Sequence, residues 1–190
     1  MSQDPMSSSQ VVIDALHFAA EKHRHQRRKD RHLSPYINHL IEVLHLLWHV
    51  GGVRDPEVLA AGLLHDTIED TETSAREIEQ HFGALIRELV VALSDNKQLP
   101  KEVRKQQQID HAPELPPAAK LIKLADKCAN VSDLLFHSPA DWSDARRRGY
   151  VDWAEAVIDG LRGSNDALEA HFDQLAAKLR KRLDRAEAPI

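Results

Sequence analysis

Asp55 to Thr73, DPEVLAAGLLHDTIEDTET, is the stretch on which the reading of the whole chain turns. Asp55-Pro56 has the form of an N-cap followed by proline at the first helical position. Val58, Leu59, Gly62 and Leu63 then recur at helical spacing. The helix they begin runs into His65-Asp66 and on to Glu69, Asp70 and Glu72, with no Lys or Arg among them. If it continues through Asp66, these acids sit at a helix C-terminus, where the macrodipole is negative and carboxylates are disfavoured. One account is a solvated acidic turn, since runs of charge are usually surface. The other is a bound cation, which reverses the local sign and makes clustered carboxylates favourable. His65 favours the second, because it offers a nitrogen ligand next to an oxygen ligand at the edge of an apolar run.

Outward from this stretch the same periodicity continues. Val12, Ala15, Leu16 and Ala19 form one stripe, and Leu40, Val43, Leu44 and Leu47 form another that stops at Gly51-Gly52. Ser74 with Glu77 is a capping box for a short helix ended by Phe82-Gly83, and Leu85, Ile86, Leu89, Val90 and Leu93 mark the next. Pro100 to Pro117 is a polar, basic insertion, part helix and part loop. Helices over roughly 118–135, 141–160 and 164–185 complete the chain, the second launched by Ser138-Pro139 and the third carrying Leu168, Phe172, Leu175, Leu179 and Leu183. The expected fold is a compact, multi-helix, all-α domain over residues 10–190, preceded by a flexible tail or leader over 1–9, MSQDPMSSS.

Composition narrows the function. The chain has 190 residues, 42% of them hydrophobic, enough for one cored domain. A net charge of -5 and a pI near 6.2 argue against a nucleic-acid coat, so the six cations of KHRHQRRKDR, Lys22 to Arg31, have a local use. The stretch also lacks the interleaved aromatics of an RNA binder. A single cysteine, Cys128, and no secretory leader fit a reducing cytoplasm, and no run reaches the length of a membrane span.

A metal needs more ligands than His65 and Asp66. In KLIKLADKCANVSDLL, Leu121, Leu124, Ala125, Cys128 and Val131 define a buried arc, which puts Asp126 at its apolar border with Asn130 one turn later. A surface Asp paired with Lys123 or Lys127 is the plainer account of that position. His39, at the start of the second stripe, has a similar choice between core histidine, cap and ligand.

The series His39, His65-Asp66 and Asp126 resembles the metal-binding signature of the HD-domain phosphohydrolases. HRHQRRKDRHLSPYINHL, AAGLLHDTIEDTETSAREIEQHFG, LPKEVRKQQ, AKLIKLADKCANVSDL and WSDARRRGYVDWAEAVIDGL resemble, in order and spacing, the hydrolase domain of the RelA/SpoT group, particularly its stand-alone small alarmone hydrolases of the metazoan SpoT-homologue type. The resemblance implies an HD-domain fold and one Mn²⁺ held by His39, His65, Asp66 and Asp126. It implies that Glu69 and Asp70 activate water and handle its proton. Arg28, stacking on the base, and Lys29 would lie against a guanine nucleotide, Asn130 at its sugar, and Lys101, Arg146 and Tyr150 at its phosphates. The implied reaction is hydrolysis of the 3′-pyrophosphate of guanosine tetraphosphate or pentaphosphate (ppGpp, pppGpp). Leu40, Ser94-Asp95-Asn96 and Cys128-Ala129 depart from the common family pattern, but none of them replaces a ligand or an acid. Two alternatives keep the same residues: a phosphatase acting on NADPH or another nucleotide phosphate, and a catalytically silent nucleotide-binding domain. The sequence carries no signal for oligomeric state.

Overall fold

The structure is a computed structural model and describes residues 8–187. It is all-α: no β-strand occurs among the described residues, and an isolated antiparallel bridge pins Arg27 to Pro35. α1 (Ser8–Lys22) buries Val11, Ala15 and Ala19 and packs on α3 (Pro56–Leu64). Ser8 and Ser9, expected in the leading tail, therefore belong to α1, and residues 1–7 lie outside the described residues.

α3 starts as its sequence says, with the Asp55 carboxylate accepting from the Glu57 N–H at 2.9 Å and Pro56 at the first turn. It is buried from Val58 to Leu64 because α1, α2 (Ile37–His45) and α6 (Ala84–Leu93) all pack against it. A Cβ at Gly62 would lie 2.7 Å from Leu47 Cδ1, so glycine lets the end of α2 approach. That end is a π-turn, Leu46–Val50, closed by Gly51 N–H donating to Leu46 O at 2.9 Å, and Gly52 (φ +66) ends it.

The expected continuation of α3 through Asp66 is not observed. The helix stops at Leu64, and a new single turn, α4 (Thr67–Asp70), begins after Asp66. The reason is local: His65 Nδ1–H donates to Gly62 O at 2.8 Å, so a side chain claims a carbonyl of the last turn. Asp66 thus stands before a helical turn rather than at the end of one.

α5 (Ala75–Phe82) carries the expected Ser74 cap, with Glu77 N–H donating to Ser74 Oγ at 3.1 Å. α7 (Lys101–His111) and a 3₁₀ turn, Ala112–Glu114, fill the basic insertion; α7 buries none of its residues. α8 (Pro117–Phe136) is the central helix, touching α2, α3, α6, α9 (Asp144–Asp159) and α10 (Asp166–Glu187). Neighbours on every side bury Ile122 through Ala129 without a break, Asp126, Lys123 and Lys127 included. Asp126 is accordingly inside the molecule, not at a border.

α9 is capped by Ser143, whose hydroxyl accepts from Arg146 N–H at 3.2 Å, rather than launched at Ser138-Pro139. Residues 137–143 instead form a loop that buries Pro139. Among the described residues no helix is long and apolar enough to cross a membrane.

Candidate active site

α2, α3 and α8 each deliver a polar side chain to one buried point. His39 lies in the first turn of α2, His65 follows the last residue of α3, and Asp126 is at the middle of α8. Their ligand atoms lie within 4.8 Å of one another. His39 Nε2 is 3.2 Å from Asp126 Oδ1, and His65 Nε2 is 3.7 Å from the same oxygen. Asp66 Oδ2 closes a further side, 3.1 Å from His65 Nε2 and 3.7 Å from His39 Nε2. All four expected ligand residues converge.

The orientation of the donors suits a cation. Because His65 gives its Nδ1–H to the Gly62 carbonyl, its Nε2 points inward, where it is buried without a hydrogen-bond partner and where a cation could take the place of a proton. Tyr36 Oη–H donates to Asp66 Oδ2 at 2.6 Å, and burial holds that phenol far above its ordinary pKa, so it remains a donor. Lys127 Nζ donates to Asp126 Oδ2 at 2.9 Å, and Asn130 Nδ2 to Oδ1 at 2.6 Å. Burial pushes both carboxylates up, but His65 beside Asp66 and Lys127 beside Asp126 hold them well below the usual carboxylate range. Burial, with the charge of Arg28 adding to it, lowers the His39 pKa despite the neighbouring Asp126 and Asp66. It acts likewise on His65, but the charges of Asp66 and Asp126 outweigh it and raise that imidazole to about 10. Asp126, buried, and Asp66, half-buried, thus demand a positive charge between the imidazoles. Two nitrogen donors, carboxylate oxygens and an unpartnered inward Nε2 make a divalent metal site.

Glu69 and Asp70 extend from α4 toward two adjoining cavities of about 590 and 360 Å³ respectively. Glu69 Oε2 accepts from the Asp95 N–H at 3.1 Å, and Oε1 lies 3.5 Å from Arg104 Nη1. Burial, with Asp95, Asp66 and Asp70 adding to it, raises the Glu69 pKa. Asp70 accepts from Gln26 Nε2 at 2.8 Å and pairs with Lys97.

The other expected residues line the same cavities. Arg28 and Asn130 border the smaller, Lys101 and Arg146 the larger, and Lys29 and Tyr150 stand between the two. Arg28 is held edge-on, its Nε and Nη2 donating to Asp133 Oδ2 at 3.1 and 2.5 Å and Nη2 also to Asn130 Oδ1 at 3.0 Å, with its face 5.5 Å from the Tyr36 ring. Arg146 and Tyr150, four apart on α9, reach one cavity as expected. Trp142 went unremarked in the sequence, yet it lines both cavities, and the Arg146 guanidinium lies 4.2 Å over its ring. A Trp beside a basic run was the available signal. Arg104 and Tyr36 were also passed over, since each acts on another residue and no motif records that, whereas Lys127 was named as a partner of Asp126 but at the surface, and the pair is buried.

A model of the HD domain matches residues 15–151. The MESH1 guanosine-3′,5′-bis(diphosphate) 3′-pyrophosphohydrolase of Homo sapiens is 50% identical over 169 residues, covering 89% of this chain and 94% of that protein. The chain belongs to the MESH1-type HD-domain family. The Drosophila melanogaster member is 44% identical over 167 residues, covering 88% of this chain and 93% of its own. A solved structure described as a metazoan orthologue of SpoT that hydrolyses ppGpp superposes with a TM-score of 0.86 at 41% identity, over 95% of this chain and 98% of that chain. In the longer pyrophosphohydrolase of Aquifex aeolicus the 36% identity spans 66% of this chain but 18% of that protein.

Proposed function

We propose that this HD domain is a guanosine-3′,5′-bis(diphosphate) 3′-pyrophosphohydrolase, converting ppGpp or pppGpp to GDP or GTP and pyrophosphate. The observation that carries this is one of placement: the cluster of buried His39, His65 and Asp126 with half-buried Asp66, the Glu69-Asp70 pair and two cation-lined cavities adjoin one another. The kinship with MESH1 supplies the substrate class.

The four-residue cluster would hold the metal, and its nitrogen and oxygen donors, free of thiolate, are compatible with Mn²⁺. When bound, a divalent ion supplies Lewis-acid chemistry, making water more acidic and offsetting phosphate charge. In the reaction a water oxygen forms a bond to the phosphorus attached to the 3′ oxygen, and the 3′ O–P bond breaks. The water proton goes to Glu69, whose burial-raised pKa fits a base that then gives the proton up to the departing 3′ oxygen, leaving a 3′-hydroxyl and pyrophosphate. Asp70, fixed by Gln26 and Lys97, orients that water.

Arg28, its plane set by Asp133 and Asn130, presents a face for the guanine. Lys29, Lys101 and Arg146 neutralise the phosphates, with the Tyr150 hydroxyl kept neutral by a pKa that burial pushes up to about 12. Action on free nucleotide in the cytoplasm completes the proposal, in keeping with the lone buried Cys128.

Chromatography of products after incubation with ppGpp and Mn²⁺, with and without chelator, tests this reading. GDP and pyrophosphate in equal amounts are expected. Release of orthophosphate alone, or turnover of NADPH but not of ppGpp, would overturn it.

A further inference from the structure

Behind the smaller substrate cavity, across residues 137–143, lies a separate cleft of about 250 Å³ that the proposed reaction does not use. The loop between them is two-faced: Pro139 and Trp142 line the substrate side, whereas Ser138 and Ala140 line the cleft. Arg31, Arg147 and Arg182 border the cleft over a floor of leucines from α8 and α10. Two of these side chains are steered by neighbours, Arg147 Nη1 donating to Asp144 Oδ1 at 3.0 Å and Arg182 Nη1 to the Leu135 carbonyl at 2.5 Å. Among the described residues Asp144 is the one carboxylate paired with the three guanidiniums. Two polar atoms in the wall, Ser138 Oγ and Arg147 Nε, are buried without a hydrogen-bond partner among the described residues.

An excess of positive charge, planar donors and an unspent hydroxyl over an apolar floor describe a site for a compact anion with several oxygens. We infer that this cleft binds a small polyphosphate anion and that its occupant braces the 137–143 loop, which carries Trp142 on its other face. The sequence offers the same link from the other side, since Arg31 belongs to the segment that also carries Arg28 and Lys29. Pyrophosphate is of this class and is released in the proposed reaction, so on that reading the cleft senses product; the binding itself does not depend on it.

The test uses inorganic pyrophosphate on the chelator-treated full chain carrying Lys101→Ala and Arg146→Ala, which weaken phosphate binding in the substrate cavity. Calorimetry should show saturable binding in this background, and hydrogen exchange of residues 137–143 should slow when pyrophosphate is present. Adding Ala140→Glu, at an exposed position that tolerates the change, or Arg182→Ala should weaken binding at least tenfold and abolish the slowing. Absence of binding in the background protein, or binding that Ala140→Glu leaves unchanged, would sink the inference. Turnover of ppGpp by the unsubstituted protein is measured separately, so failure of the cleft and failure of the proposed reaction are told apart.

Discussion

Glu69 illustrates how one side chain is tuned by its surroundings. Its neighbours on α4 and Asp95 are acids, it is largely buried, and both effects favour the neutral form, while the Asp95 N–H and Arg104 hold it in place. A base must be ionised to accept a proton, so kcat/KM should fall as pH drops through a pKa lying above the ordinary glutamate range. A pH–rate profile whose acid limb sits at the usual carboxylate value would contradict this. Glu69→Gln keeps the shape of the side chain but not its basicity, and should lower kcat by about 10²- to 10⁴-fold with KM little changed. His65→Ala should act differently, removing an inward-facing nitrogen and with it both turnover and bound metal. Metal content by plasma mass spectrometry distinguishes the two variants, since the Gln variant should retain its ion.

These residue roles were unequally visible in the sequence. His65, Asp66, Glu69 and Asp70 stand within one short segment, so their spacing exposes them. Arg104 is remote in sequence from Glu69, which it serves, so its significance rests on a contact across the fold, whereas Trp142 lies four residues before the Arg146 that stacks on it.

At the scale of elements, α8 and α9 carry the instructive cases. Lys123 on α8 is buried with its ammonium 3.3 Å from the Leu93 carbonyl, and burial lowers its pKa. The folded protein therefore binds fewer protons there than the unfolded chain, so the destabilisation is full below the folded pKa and fades as pH rises toward the unfolded value. Lys123→Met should leave stability unchanged or raised near neutral pH, with the gain shrinking in alkali, as denaturant titrations at two pH values would show. Gly160, just past α9, is the opposite case. A Cβ there would meet Ala112 Cβ at 2.8 Å and Pro113 Cδ at 2.9 Å, atoms fixed by backbone and ring. Gly160→Ala should cost about 1–3 kcal/mol and disturb the turn that ends α7, the helix bearing Lys101 and Arg104. Thermal unfolding measures the first effect, and a raised KM the second.

Element boundaries followed the same logic of local against distant causes. The Asp55-Pro56 start of α3 and the Ser74 cap of α5 were legible because cap and helix are neighbours in sequence. Ser138-Pro139 looked equally like a start, but Pro139 is buried in a loop against the smaller cavity and Ser143 caps α9 instead. The break after Leu64 depends on the His65 ring bonding its own helix, which no spacing rule foretells.

For the whole molecule the metal site couples function to stability. Three helices converge on it, so an ion bound to the folded form and not to the unfolded chain should raise the unfolding free energy by about 2.7 kcal/mol at a hundredfold excess over Kd. Differential scanning fluorimetry with Mn²⁺ and with chelator should show the higher Tm with the ion. Equal Tm values together with metal-dependent turnover would mean that the ion does not bridge the helices.

By itself the sequence determined the all-α class and most of the helices, because periodicity and caps are local and survive in one dimension, and its resemblance to the HD-domain hydrolases named His39, His65, Asp66 and Asp126 as one cluster. Tertiary packing decided the rest. It buried Asp126 with Lys127 and carried Arg104 to Glu69. Burial and through-space charge arise only once distant helices are in contact, which is why no reading of neighbours along the chain supplies them.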